Sequence, residues 1–268
     1  MPDTRRQARA QPTSLRRLRL QAEVWEPAGA SLLASLAPDE AAHALDVGCG
    51  SVGWLPLLDA WVGPHGRVIG ADVDDTMLAA AGALVEQREL ERVDLVNDDL
   101  FATRLPAGDF DLVHARFQLA ALGRHEEQMA AYRRLVKPGG VIVLEDPDSS
   151  TWTFDPGAPA SERLVELIVA AFGAEGGDFD AGPRGAPLLA AAGIEPKVRR
   201  TVVALPPEHP YLRLPVEVAE ALRPRLSGLI GEAELDELIR TAEAELTRPR
   251  RGGRTFTLVQ TYGRAPAP

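Results

Sequence analysis

Cysteine occurs once in the 268 residues, at Cys49, so an internal disulfide framework is excluded and a reducing compartment is expected. Lysine is nearly absent, occurring only at Lys137 and Lys197, and arginine carries the remaining basic charge. No run approaches the roughly 18 consecutive apolar residues that a membrane span requires. The opening segment MPDTRRQARAQPTSLRRLRL lacks an apolar core and a small-residue cleavage site, so no secretory leader is expected and the cytoplasm is the predicted location. An excess of acid, with a net charge of −10, would repel a polyanion over most of the surface, and nucleic acid is not expected as a partner.

What is present is an ordinary globular composition, 45% hydrophobic and 25% charged, in a chain long enough to bury a substantial core. Arg5, Arg6, Arg9, Arg16, Arg17 and Arg19 make the start locally basic. That pattern suits either a disordered tail over residues 1–13 leading into a solvated helix, or an arm closing over an anionic ligand. Residues 14–40 carry apolar side chains at helical spacing, and Pro27 and Gly29 predict a division into two helices. Strand and helix signals then alternate. Strands are expected at His43–Val47, Arg67–Asp72, Val93–Asn97, Phe110–Ala115 and Val141–Glu145. Helices are expected at Val52–Val62, Thr76–Arg88 and Glu126–Val136. Near-continuous apolar strands alternating with helices predict an α/β fold with a parallel sheet covered on both faces.

Beyond Asp146 the pattern changes. Glu162–Phe172 and Pro187–Ala192 read as helices, and Val198–Leu205 and Thr255–Tyr262 as strands. Between those strands lies a Pro-rich helical insertion, 206–250, with Ala219–Leu226 and Glu232–Leu246 as its helices. Residues 41–268 are expected to form one domain around the sheet, with 14–40 as a helical cover and 206–250 as a helical lid over the substrate site.

The most informative stretch runs from Ala44 to Trp54, where a strand meets Gly48, Gly50 and Gly53 before a helix. Glycine there permits a tight turn and close approach of backbone to a ligand. The spacing also satisfies the dinucleotide pattern, with Asp72 where a ribose-binding acid is expected. Yet Asp46, two residues before the turn, would be a poor neighbour for a pyrophosphate. It suits the ammonium of a cationic adenosyl amino acid. Asp98 and Asp99 end the third strand, where a carboxylate can accept from an adenine amino group. Cys49 reads as a small buried residue rather than a nucleophile.

Taken in order, these segments resemble the class I S-adenosylmethionine-dependent methyltransferases. LDVGCG (Leu45–Gly50) resembles their first motif, GADVDDTML (Gly70–Leu78) the second and NDDLF (Asn97–Phe101) the third. FDLVHARF (Phe110–Phe117) resembles the fourth, and LVKPGGVIVLEDPD (Leu135–Asp148) the fifth. The resemblance implies a seven-stranded, mostly parallel Rossmann-like sheet with an antiparallel last strand, binding S-adenosyl-L-methionine. It implies that Gly48 and Gly50 lie under the methionine part, Asp72 takes the ribose, Val73 packs on the adenine, and Asp99 and Leu100 recognise its edge. Many members place a third glycine two residues after the second, whereas Ser51 and Val52 precede Gly53 here, so the role of Gly53 is left open.

Methyl transfer is an in-line displacement dominated by positioning, and a general base is needed only where the nucleophile must lose a proton. His114, ending the fourth strand, is the candidate base or orienting group, against a histidine bonded within the sheet. Arg116 is a candidate partner of the cofactor carboxylate, or a structural ion pair. Asp146, Asp148 and His209 are weaker candidates. Gln21 and Trp25, one helical turn apart, are candidates to close the cofactor site, since an aromatic face suits a sulfonium, against simple hydrophobic packing for Trp25. Tyr211 and Trp152 are expected to line the substrate pocket. The expected activity is methyl transfer to an O, N or C atom of a small metabolite, with secondary metabolism as its expected setting, and without a metal. A homodimer is compatible with this reading, and a membrane partner is not expected. Alternatives are a non-methyl reaction assisted by the same cofactor, an NAD-dependent oxidoreductase, or a non-catalytic binding protein.

Overall fold

A computed structural model describes residues 12–38, 41–174 and 176–267. The expected disordered tail therefore lies almost wholly outside the described residues, and Pro12 already opens a helix. That helix, α1, runs unbroken over Pro12–Leu33 with Pro27 inside it, which corrects the expected division into two. An interior proline forfeits a backbone hydrogen bond and costs about 3 kcal/mol. Packing offsets this, because Trp25, Leu32 and Leu33 on either side of Pro27 are all buried.

The α/β core follows as β1 (His43–Val47), α2 (Leu55–Trp61), β2 (Arg67–Asp72), α3 (Asp75–Gln87), β3 (Val93–Asn97), β4 (Phe110–Arg116), α4 (Gln118–Leu122), α5 (His125–Leu135) and β5 (Val136–Asp148). The first three strands match expectation residue for residue. The expected helix Val52–Val62 begins later, at Leu55, because Gly53 holds φ at +49° and keeps the preceding residues in a turn. Then come β6 (Thr153–Asp155), α6 (Pro159–Ala174), α7 (Gly185–Ala191), β7 (Lys197–Thr201), β8 (Ala204–Leu205), α8 (Leu214–Ala221), α9 (Arg223–Ile230), α10 (Glu232–Leu246), β9 (Gly252–Arg254) and β10 (Thr257–Arg264).

Seven strands form the main sheet in the order β3-β2-β1-β4-β5-β10-β7. The first five are parallel, and β10 runs antiparallel to both β5 and β7. This is the expected fold class. The strand order reverses beside β1, and in open α/β sheets the crevice at that point is where ligands bind. One core cluster joins Trp54, Leu55 and Leu58 to Leu32 and Leu33 of α1. Another holds Met129, Tyr132 and Leu189 against β1 and β4.

A second sheet of three strands, β6-β9-β8, was not legible beforehand. It arises because the expected strand Val198–Leu205 divides. Its first part stays with β10, while Ala204 and Leu205 leave to pair with Arg254 and Gly253. Thr255 secures the junction, donating its amide to the Val203 carbonyl at 3.0 Å while its hydroxyl accepts from the Val203 amide at 3.0 Å.

The insertion shares a core with the sheet's upper edge. Leu226, Leu235 and Ala242 bury with Leu164 and Ile168 of α6 and with Trp25. The expected helix Ala219–Leu226 is broken at Leu222, because Pro224 favours a new helix start there, whereas Glu232–Leu246 is observed as expected. Buried Glu245 of α10 accepts from the amides of Ala160 (3.1 Å) and Ser161 (3.1 Å), capping the first turn of α6. A carboxylate at unpaired amides of a helix start is favourable, so the insertion is fastened electrostatically as well as by packing.

Candidate active site

The turn after β1 is built around left-handed backbone. Gly48, Gly50 and Gly53 hold φ at +63°, +57° and +49°, a region that side-chain-bearing residues rarely adopt. Their surroundings differ. A Cβ on Gly48 would run into the Gln118 side chain, and one on Gly53 into the Asp46 carboxylate, whereas one on Gly50 would meet nothing within 4 Å. Gly53 is thus needed so that Asp46 can reach the backbone of Trp54, 2.6 Å from its amide.

Asp72, at the tip of β2, spans the same turn. One carboxylate oxygen accepts from the Gly50 amide at 2.8 Å and the other from the Asp74 amide at 2.9 Å. Burial pushes its pKa up, while those amides pull in the opposite direction. Two backbone bonds leave a carboxylate with unused acceptor capacity, and this one faces the cavity. Asp74, not Asp72, caps α3, accepting from Thr76 at 2.8 Å.

Beneath the turn lies a buried polar chain. His114 Nδ1 is 2.7 Å from Asp46, and its Nε2 is 3.2 Å from Glu145. Glu145 also accepts from Arg116 Nε at 2.6 Å and from Gln260 at 2.7 Å. Trp54 stacks on the imidazole, with ring centroids 3.8 Å apart and planes 9° from parallel. Burial opposes charge on His114, but Asp46 and Glu145 outweigh it and raise the pKa. Burial likewise pushes Glu145 up, yet Arg116 and His114 overcome that and hold it at about 2. With the imidazole protonated, as its raised pKa favours, two carboxylates and two cations alternate along the chain.

A cavity of about 370 Å³ opens above. One end is the glycine turn with Asp72, Met77, Gln118 and Arg116; the other is apolar, with Trp152, Phe172, Phe179 and Phe256. The indole of Trp152 stacks with Phe179 at 5.8 Å and meets Phe256 edge-on at 5.6 Å. Helix α1 contributes Arg17, Leu18, Gln21 and Ala22 to the wall.

Of the residues expected to hold the cofactor, Gly48, Gly50, Asp72, Arg116 and Gln21 line this cavity. Others do not. Asp46 is buried, with one oxygen committed to Trp54 and the other to His114, so it positions the turn rather than meeting an ammonium. His114 is fully buried, with both nitrogens engaged, which is the sheet-bonded alternative and corrects the role of a base facing the substrate. Trp25 is fully buried and donates to the Tyr211 hydroxyl at 3.2 Å. It closes the core rather than the cofactor site, and Tyr211 is buried with it instead of lining the pocket. Val73 and Asp99 are exposed; Asp99 accepts from the Phe101 amide at 2.9 Å. Leu100 is buried beside them. Asp98 is buried and accepts from the Arg104 amide at 2.9 Å.

Asp146 is buried, accepts from the Ala120 amide at 2.9 Å, and burial pushes its carboxyl well above the usual range. Asp148 pairs with Arg200 at 3.1 Å, and His209 accepts from the Tyr211 amide at 3.2 Å. Trp152 lines the cavity as expected. Gln118, Phe179 and Phe256 were missed, Gln118 because it falls one residue past the fourth motif and the two phenylalanines because packing brings them in from segments without a motif. Arg17 belongs to the basic start, one reading of which was an arm closing over an anionic ligand.

The chain matches a family model described as a methyltransferase domain over residues 44–140. It is 31% identical over 219 residues to nocamycin O-methyltransferase of Saccharothrix syringae, covering 80% of this chain and 69% of that one. Demethylmenaquinone methyltransferase of Geobacillus stearothermophilus is 32% identical over 108 residues, which span 40% of this chain and 46% of that protein. The fold is similar to that of the YcgJ protein of Bacillus subtilis, with a TM-score of 0.60 at 12% identity, covering 91% of this chain and all of the other. The chain belongs to the class I methyltransferases, enzymes whose methyl donor is S-adenosyl-L-methionine.

Proposed function

We propose that the cavity holds S-adenosyl-L-methionine at its glycine-turn end and a small, largely apolar metabolite at its aromatic end, and that the methyl group passes to an O, N or C atom of that metabolite. The observation that carries this reading is Asp72, a half-buried carboxylate with spare acceptor capacity, strapped to Gly50 at the mouth of the turn. A pair of ribose hydroxyls would satisfy it. Gly50 leaves open space for the methionine part, and Arg116 and Gln21 offer donors to its carboxylate. Bound there, the cofactor supplies a methyl carbon activated by a sulfonium leaving group. Val73, exposed at the end of β2, and Asp99 are assigned to the adenine.

The protein's contribution is to position. Asp46 and His114 hold the turn from below, and α1 covers it from above. The exclusion of water by Trp152, Phe179 and Phe256 would strengthen electrostatic interactions inside. Residues 41–268 are assigned to the catalytic domain, 14–40 to its cover, and 206–250 to a wall of the substrate site, through Leu214, Val218 and Leu222. Similarity to an O-methyltransferase named for nocamycin supports a small metabolite and an oxygen acceptor. No described helix is long and apolar enough to cross a membrane.

Calorimetric titration with S-adenosyl-L-methionine and NAD tests the assignment. Binding of the first, with S-adenosylhomocysteine formed on turnover, is expected. Binding of NAD alone would overturn it.

A further inference from the structure

Few ionisable groups face the cavity. Among the described residues that line it they are Asp72, Arg17, Arg116 and the thiol of Cys49. Asp72 straps the glycine turn and is assigned to the ribose, and burial pushes the Cys49 thiol far up. Each nearby alternative is engaged elsewhere. His114 lies between Asp46 and Glu145, Tyr211 is buried under Trp25, and Asp146 is bonded to the Ala120 amide. No described group is placed to take a proton from an acceptor.

The two arginines differ. Arg116 is paired with Glu145 through Nε, and its other donors are assigned to the cofactor carboxylate. Arg17 donates one terminal nitrogen to Gln21 at 3.3 Å, but its Nε is buried without a hydrogen-bond partner. A buried guanidinium N–H without an acceptor is costly, and an anion that draws the Arg17 head into the cavity would relieve that cost. Glu217 lies near Arg17 and meets Arg16 through Oε1 at 3.7 Å, while its buried Oε2 has no hydrogen-bond partner, so two cations share one carboxylate that does not bond Arg17 Nε. With the cofactor's own net positive charge added and Asp72 subtracted, the loaded cavity keeps an excess positive charge. It would repel an amine and attract an anion.

Resting on the cofactor reading above, we propose that the acceptor is an apolar acid, a carboxylic acid or comparably acidic enol. Its anionic oxygen meets Arg17 while its body packs on Trp152, Phe179 and Phe256. A lone pair of that oxygen attacks the methyl carbon; the C–O bond forms as the C–S bond breaks, and the bonding pair returns to sulfur. The products are a methyl ester or enol ether and neutral S-adenosylhomocysteine. No proton is gained or lost, which is why a cavity without a base suffices.

The test uses the full chain saturated with S-adenosylhomocysteine, titrated with 2-naphthoate, neutral 2-naphthamide and cationic 2-naphthylmethylamine. Naphthoate is expected to bind about tenfold or more tighter than the amide, as a charge-assisted bond implies, and the amine weakest. Arg17→Gln should reduce naphthoate to the level of the amide while S-adenosylhomocysteine affinity stays within about twofold. Arg17→Lys should restore part of the preference, and Trp152→Ala should weaken naphthoate and amide alike. Equal binding of the three probes, binding of none, or an Arg17→Gln loss confined to S-adenosylhomocysteine would overturn the proposal. Failure of the unmodified protein to bind S-adenosylhomocysteine would instead overturn the cofactor reading.

Discussion

The imidazole of His114 lies 2.7 Å from the carboxylate of Asp46, fully buried, directly under the glycine turn. Since Asp46 in turn holds the Trp54 amide, the histidine at the end of β4 fixes the loop at the end of β1. Removing one member of a buried ionic chain leaves the others uncompensated, which typically costs about 3–5 kcal/mol. His114→Gln is therefore expected to destabilise the fold by about that amount, measured by chemical denaturation. The loss should exceed any direct effect on chemistry. A variant with native stability but no turnover would restore His114 as a catalytic base.

The same chain sets a pH window. The folded imidazole holds its proton more tightly than the unfolded one, so its contribution is full below the ordinary value of 6.5 and fades as pH rises through the raised pKa. Glu145 behaves oppositely: its contribution is present above 4.5 and fades as pH falls toward about 2. The difference in melting temperature between the wild type and His114→Gln should be largest in mildly acidic buffer and shrink in alkaline buffer. A difference that grows with pH would refute the charged imidazole.

The order of strands and helices from β1 to β5 was legible because each apolar run is short and bounded by turn residues, and the acids of the glycine motif recur at strand ends. Gly48, Gly50 and Asp72 were accordingly found at the cavity. The neighbours of those residues were not legible. Asp46 and His114 looked available because the sequence gives their positions on strands but not the depth of the pleat that buries them. Trp25 and Gln21 sit one turn apart, yet the helix turns one toward the core and the other toward the cavity. Phe179 and Phe256 reach the aromatic end from segments far apart in the chain. Such convergence follows from tertiary packing and leaves no periodic trace. The small sheet was missed for a related reason, since strands of two or three residues carry too little pattern to detect.

The last two glycines of the turn should separate by their neighbours. Gly50→Ala meets open space and bears only the strain of a left-handed residue, about 1–2 kcal/mol. Gly53→Ala bears that strain and also displaces Asp46 from the Trp54 amide, adding about 1.5–3 kcal/mol for a hydrogen bond to a charged group. Thermal denaturation should rank Gly53→Ala well below Gly50→Ala. Calorimetry should show the reverse emphasis, with Gly50→Ala weakening cofactor binding more than its stability loss suggests. The opposite ranking in both would mean that the glycines serve other purposes.

Asp72 is the most direct probe of the cofactor end. Hydrogen bonds to a charged acceptor contribute about 1.5–3 kcal/mol, against about 0.5–1.5 for neutral ones. Asp72→Asn keeps the size but gives up the charge, and its amide cannot accept from Gly50, Asp74 and two ribose hydroxyls together. Two weakened bonds correspond to roughly 10–100-fold in affinity for S-adenosylhomocysteine. Asp74→Asn serves as the control, because asparagine also caps helix starts well and Asp74 only caps α3; its affinity should match the wild type. Because Asp72 also straps the turn, a modest fall in melting temperature should accompany its substitution, and the binding loss should persist at temperatures where the variant is fully folded. Unchanged affinity in Asp72→Asn under those conditions would place the adenosyl group elsewhere.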